Sequence, residues 1–273
     1  KDYDTPVYVF DIPKLKKRIE YIKNSLPERV KLCFAIKANP FIIKEIENMV
    51  DRFEVCSPGE YEICKHKKIS VEKILISGVY KTSNMISEMI SDGVNNFTIE
   101  SMEQFNLLKN LKSKEKLNLL LRITSGNQFG INIEEAREII NNRMQYKNIE
   151  IVGLQYFSGT QKKSIKNLNR ELMFMQDCID NLKDDYNYET KEFEFGPGFP
   201  IDYFENEKFN EEIFFQEFSN LIEQMTFKND LILEIGRSMV ASSGSYITKV
   251  VDKKINKDQK YAILDGGIHH LVY

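Results

Sequence analysis

The sequence predicts an α/β protein: a (β/α)8 barrel with an incomplete β-rich second domain. Two observations carry this expectation. Short apolar runs of strand character recur at 31–37, 52–57, 73–78, 95–100, 117–123, 149–157, 192–198 and 231–236, and amphipathic segments of helical period lie between them. The first five runs begin about 21 residues apart, the length of one strand–helix unit. Eight strands alternating with helices favour a closed parallel barrel over an open doubly wound sheet.

Taken in order, a short strand at 7–10 precedes a helix at 12–26, whose Pro13 suits a first helical turn. The segment 82–93 sets Met85, Ile86, Met89 and Ile90 on one face. The segment 164–182 does the same with Leu168, Leu172, Met175, Cys178, Ile179 and Leu182. Both stripes read as core-facing. Beyond residue 243 the rhythm breaks, because 244–251 and 259–264 are strand-like with no helix between them. The expected division is a barrel over 12–243 and a β-rich domain built from both chain ends, 1–11 and 244–273.

Composition narrows the function classes. An apolar fraction of 42% and a charged fraction of 29% describe a globular chain, and the net charge of −3 is spread over interspersed signs. That balance offers nothing to nucleic acid or to a membrane surface, and no run nears the roughly 18 apolar residues of a membrane span. Cys33, Cys56, Cys64 and Cys178 form no CxxC pair and read as reduced thiols of a cytoplasmic protein. The three histidines, His66, His269 and His270, make a metal site unexpected, and the adjacent pair reads as two faces of a strand.

In such barrels the chemistry sits at the C-terminal ends of the strands. Here those ends carry Lys37, Ser57, Ser77-Gly78, Glu100, Arg122, Ser158-Gly159-Thr160, Gly196-Pro197-Gly198 and Glu234-Ile235-Gly236-Arg237. Turn formation accounts for the glycines and serines, but less well for a lysine, two glutamates and two arginines on one rim. Lys37 closes an apolar run. Burial there would lower its pKa and provide the neutral amine that a Schiff base needs, whereas an isolated strand-end lysine would simply enter water. Gly196, Gly198 and Gly236 allow the close backbone approach that a phosphate requires. Glu234 would lie beside them. One cofactor, pyridoxal 5′-phosphate, fits the set, with its imine on Lys37, its ring nitrogen on Glu234 and its phosphate on the glycines. The alternative for Glu234 is an ion pair with Arg237 or Arg122 that only shapes the rim.

Ala35-Ile36-Lys37-Ala38-Asn39, Gly196-Pro197-Gly198-Phe199-Pro200, Glu234-Ile235-Gly236-Arg237 and Leu264-Asp265-Gly266-Gly267 resemble, in order, the motifs of the fold-type III pyridoxal-phosphate decarboxylases. That family includes the ornithine and diaminopimelate decarboxylases. The resemblance implies an alanine-racemase-like barrel, a homodimer and an amino-acid substrate, free or carrier-bound. It makes Lys37 the Schiff-base lysine and Glu234 the partner of the pyridine nitrogen. Gly198, Gly236 and Arg237 would hold the phosphate, with Thr160 assisting, and Glu54 would be the acidic residue near the imine. Phe157 stands where the family has a ring-stacking histidine; it can stack but cannot titrate. The family also continues past the point where this sequence stops, with a Cys-Asp segment and a tyrosine, so most of the C-terminal domain is expected to be missing here. Two other readings stay open: an amino-acid racemase on the same fold, and a pyridoxal-phosphate-binding protein without turnover. Glu234 favours the decarboxylase, because a carboxylate keeps the ring nitrogen protonated and in the racemases an arginine faces it.

Overall fold

The computed structural model describes residues 3–204 and 209–271. Residues 1, 2, 272 and 273 of the expected β-rich domain lie outside the described residues. Eight parallel strands close into a barrel: β2 (Val30–Ala35), β3 (Arg52–Val55), β4 (Ile74–Ile76), β5 (Asn96–Ile99), β6 (Leu117–Ile123), β7 (Ile149–Phe157), β8 (Glu192–Gly196) and β9 (Asp230–Ile235). Closure comes from β2 pairing with both β3 and β9. The barrel accounts for all eight expected runs.

The strands alternate between two environments, as the two-residue period of an extended chain requires. On β6, Leu117, Leu119, Leu121 and Ile123 join the main core against the surrounding helices. Leu120, on the other face, joins Leu75 and Val152 in a small separate cluster inside the barrel. The helices supply the outer wall. In the helix Ile165–Tyr186 the residues Leu168, Leu172, Met175, Cys178, Ile179 and Leu182 are buried, and in the helix Glu211–Gln224 Phe214, Phe215, Phe218 and Ile222. Burying each such side chain stabilises the shell by about 1.5–3 kcal/mol.

One irregularity matters for function. Between β6 and β7 the register slips: Leu119 faces Ile151, but Leu120 faces Gly153. Val152 is the extra residue of a β-bulge. Before it, Ile149 and Ile151 point to the helices. After it, Leu154 and Tyr156 do, so Gln155 and Phe157 turn inward. Gly153 is required at the bulge, since a Cβ there would lie 1.7 Å from the Glu192 carbonyl oxygen.

The chain ends differ in detail from expectation. The first strand, β1 (Val7–Phe10), pairs antiparallel with β10 (Gly244–Ile247), which joins the two ends. The run 244–251 is not one strand: β10 ends at Ile247, and Val250 opens a second antiparallel pair, β11 (Val250–Asn256) with β12 (Gln259–Leu264). His269 and His270 lie in a turn after β12, not on a strand, with ring centroids 4.0 Å apart. The helix expected at 12–26 is α1 (Ile12–Asn24), capped by the Asp11 side chain. Among the described residues no helix is long and apolar enough to cross a membrane, and no group of three or more His, Cys, Asp or Glu side chains is arranged to hold a metal ion.

Candidate active site

The β2 strand ends at Ala35, and Lys37 follows in a single 3-10 turn, Ile36–Ala38. The next turn is set by Asn39, whose side chain accepts from the Phe41 N–H, and by Pro40. This places Lys37 just beyond the barrel mouth, with its amine turned back over β3 and β9. Its Nζ donates to Glu54 Oε2 at 2.6 Å and approaches Glu234 Oε1 at 3.5 Å and Cys56 Sγ at 4.0 Å. Half of the lysine side chain is exposed, while Glu54 and Glu234 are almost fully buried.

These contacts reverse the expected state of the amine. Burial pulls the Lys37 pKa down, but the Glu54 and Glu234 carboxyl groups outweigh it and hold the pKa above its ordinary value. Beside these carboxyl groups Lys37 is held toward the ammonium form, not the neutral amine that burial alone would favour. The two carboxyl groups share the consequence. Burial opposes charge on Glu54, but the adjacent ammonium keeps its pKa below the usual range. Burial and then the Glu54 charge push Glu234 well above it. Like charges this close oppose each other's ionisation, and of the two it is Glu234 that is pushed toward the protonated form. Neither arginine considered as its partner serves: Arg122 donates to Glu100 at 3.0 Å, and Arg237 bonds the Tyr203 hydroxyl.

Lys37, Glu234 and Phe157 form a wall common to two recesses. The first, about 320 Å³, is also lined by Thr160, Gly198, Gly236 and Arg237. The second, about 330 Å³, is lined by Glu54, Cys56, Gly78, Tyr80, Arg122 and Phe129. The expected site residues thus gather at one place, with one exception. Gly196 is absent from both linings; a Cβ there would lie 2.4 Å from the Phe157 ring, so it makes room for that ring. Gly198 has φ +59° and lies against the loop after β7, and a Cβ on it would meet the Gly159 carbonyl oxygen at 2.1 Å. An added side chain would collide with this loop before it reached a phosphate. The Lys162 N–H also donates to the Gly198 carbonyl at 3.0 Å, which ties the two loops together.

Three lumen residues escaped the sequence reading. Gln155 Nε2 donates to Glu194 Oε1 at 2.9 Å and to Glu234 Oε2 at 3.3 Å. Arg52 donates to Glu194 at 3.1 Å and to Glu192 at 2.9 Å. Burial pushes the Glu194 carboxyl up to about 7, against the pull of Arg52. A signal was available in Glu192-Phe193-Glu194-Phe195: in a strand whose phenylalanines face helices, the glutamates must face the lumen.

The first recess suits a flat, phosphate-bearing ring. It has an aromatic face in Phe157, a glycine at positive φ, a buried carboxyl group and an amine within reach of it. The comparisons agree. The family model of the pyridoxal-dependent decarboxylases, for their pyridoxal-binding domain, matches residues 12–241. The chain belongs to this family, the fold-type III carboxy-lyases, whose cofactor is pyridoxal 5′-phosphate. Diaminopimelate decarboxylase of Aquifex aeolicus is 26% identical over 291 residues, covering 99% of this chain and 68% of that protein. The L-glutamyl-(BtrI acyl-carrier protein) decarboxylase of Niallia circulans is 23% identical over 297 residues, with 99% and 68% covered. A crystal structure from Aquifex aeolicus matches with a TM-score of 0.85 and 26% identity, covering 97% of this chain and 66% of that one. The chain spans about two thirds of the length of these relatives.

Proposed function

We propose that the protein removes the α-carboxyl group of an amino acid, free or carrier-bound, as carbon dioxide, with Lys37 carrying the cofactor as a Schiff base. The observation that supports this most is the joint wall of Lys37, Glu234 and Phe157 between two recesses. The first recess would hold the cofactor and the second would admit atoms attached at the amine. Pyridoxal phosphate supplies an electron sink for the pair left on the α-carbon when the C–C bond breaks. The chain's residues do the rest. Phe157 offers a ring face, and Thr160, Gly198, Gly236 and Arg237 would bind the phosphate. Glu234 would pair as a carboxylate with the ring nitrogen and keep it protonated. Glu54 lies 2.6 Å from the Lys37 amine and would balance its charge. A carboxyl group at the 234 position supports decarboxylation over racemisation. A homodimer is part of the proposal and is read by sedimentation.

Borohydride reduction of the pyridoxal-phosphate-loaded protein, followed by peptide mapping, should place the label on Lys37. Label elsewhere would overturn the assignment. With a panel of amino acids, including carrier-linked ones, carbon dioxide release is expected; enantiomer exchange alone would make the protein a racemase.

A further inference from the structure

Glu234 is nearly buried, and its two oxygens have different partners. Oε1 faces Lys37 at 3.5 Å, and Oε2 accepts from Gln155 Nε2 at 3.3 Å. The same nitrogen donates its second hydrogen to Glu194 Oε1 at 2.9 Å, and Arg52 holds the other Glu194 oxygen at 3.1 Å. A chain of contacts therefore runs across the lumen from β3 through β8 and β7 to β9. The amide is oriented with its nitrogen toward the two carboxyl oxygens. The arrangement has a cost. Gln155 Oε1 is buried and finds no hydrogen-bond partner.

Resting on the cofactor reading above, we infer that Gln155 is a positioning residue, which holds the Glu234 carboxyl group in place for the pyridine nitrogen while Glu194 anchors it from below. The reason lies in what happens to Oε1. Once the Lys37 amine is engaged elsewhere it no longer restrains Glu234, and the contacts that persist are Gln155 on Oε2 and the neighbouring Glu54 carboxyl group. Glu54 loses its own Lys37 partner at the same moment, so Gln155 is the donor that still fixes the terminal bond of Glu234.

The groups facing Glu234 are Lys37 after β2, Cys33 on β2, Glu54 on β3 and Glu194 on β8, with Cys56 just beyond β3. Gln155 is the neutral donor among them, so its removal changes no charge.

Gln155→Met keeps length and volume but deletes both N–H groups. Titration with pyridoxal 5′-phosphate should show affinity weaker by about tenfold or more, the effect of losing a hydrogen bond to a charged group. Gln155→Asn, one methylene shorter, reaches at most one of the two carboxyl groups and should fall between. It also fits the lumen without overfilling it, which keeps the test available if the Met variant fails to fold. A second readout needs no cofactor. The infrared band of the protonated Glu234 carboxyl group, assigned by its loss in Glu234→Gln, should persist to higher pH in Gln155→Met, because a donor to the charged form has gone. Folded variants with unchanged affinity and an unchanged infrared midpoint would overturn the positioning role alone. A wild-type protein that binds no pyridoxal phosphate would instead overturn the cofactor reading, and this role with it.

Discussion

On β8, Phe193 and Phe195 point outward into the packed shell between barrel and helices, while Glu192 and Glu194 point into the lumen against Arg52. Phe193, Phe195 and Glu194 are all fully buried, yet the two faces obey opposite rules. The outer face is held by shape and apolar contact: Phe193 packs edge-on against Phe227, and Phe199 meets Phe214, Phe215 and Phe218 in the same way. The lumen face is held by matched charge and hydrogen bonds, and burial there pushes the Glu194 carboxyl up to about 7. Burial by itself therefore says little about role. What a buried side chain touches decides whether it stabilises the fold or prepares the chemistry.

Substitutions on the two faces should separate these roles. The largest effect belongs to the shell. Phe193→Ala should cost about 3–5 kcal/mol in urea unfolding, while cofactor binding per folded molecule stays intact. Loss of binding without loss of stability would break the distinction. In the lumen the outcome inverts. Glu234→Gln, in an active form of the protein, should leave the melting temperature nearly unchanged while turnover drops by about a hundredfold, the scale of losing one key electrostatic group. Near-normal turnover would return Glu234 to a merely structural role.

A smaller effect concerns pH. Glu194 has its pKa raised to about 7, mainly by burial. Between the ordinary carboxyl value and that point, the folded protein keeps a proton that the unfolded chain has released. The unfolded state binds fewer protons there, so stability falls as pH rises through this window. Glu194→Gln should flatten that part of the slope, measured as urea midpoints at about pH 5 and about pH 8. An unaltered slope would mean that Glu194 is already ionised at the lower pH. The smallest effect is expected outside the barrel. In β11, Ile255 is 65% exposed, and Ile255→Ser in the 273-residue chain should change stability by no more than about 0.5 kcal/mol. A larger loss would show that the hairpin packs against something in solution.

Much of this protein was legible in its residue order. The recurrence of eight apolar runs specifies the barrel, because each strand–helix unit can bury its faces only by joining its neighbours. The rule that chemistry collects at strand ends singles out Lys37, Glu234 and the glycines around them. The charge state of Lys37 was not legible: burial can be guessed from a single run, but the carboxyl groups that override it come from β3 and β9, 17 and 197 positions away in sequence. Nor was the aim of β7. Simple alternation along Ile149–Phe157 would carry the inward face of Glu150 and Val152 on to Leu154 and Tyr156. The bulge at Val152 resets that period, so Gln155 and Phe157 enter the site and Tyr156 joins the shell. The sequence alone determined which elements exist and which chemical groups they carry. Only the paired strands decided which way those groups face, because an extended chain turns over every side chain when a single residue slips in register.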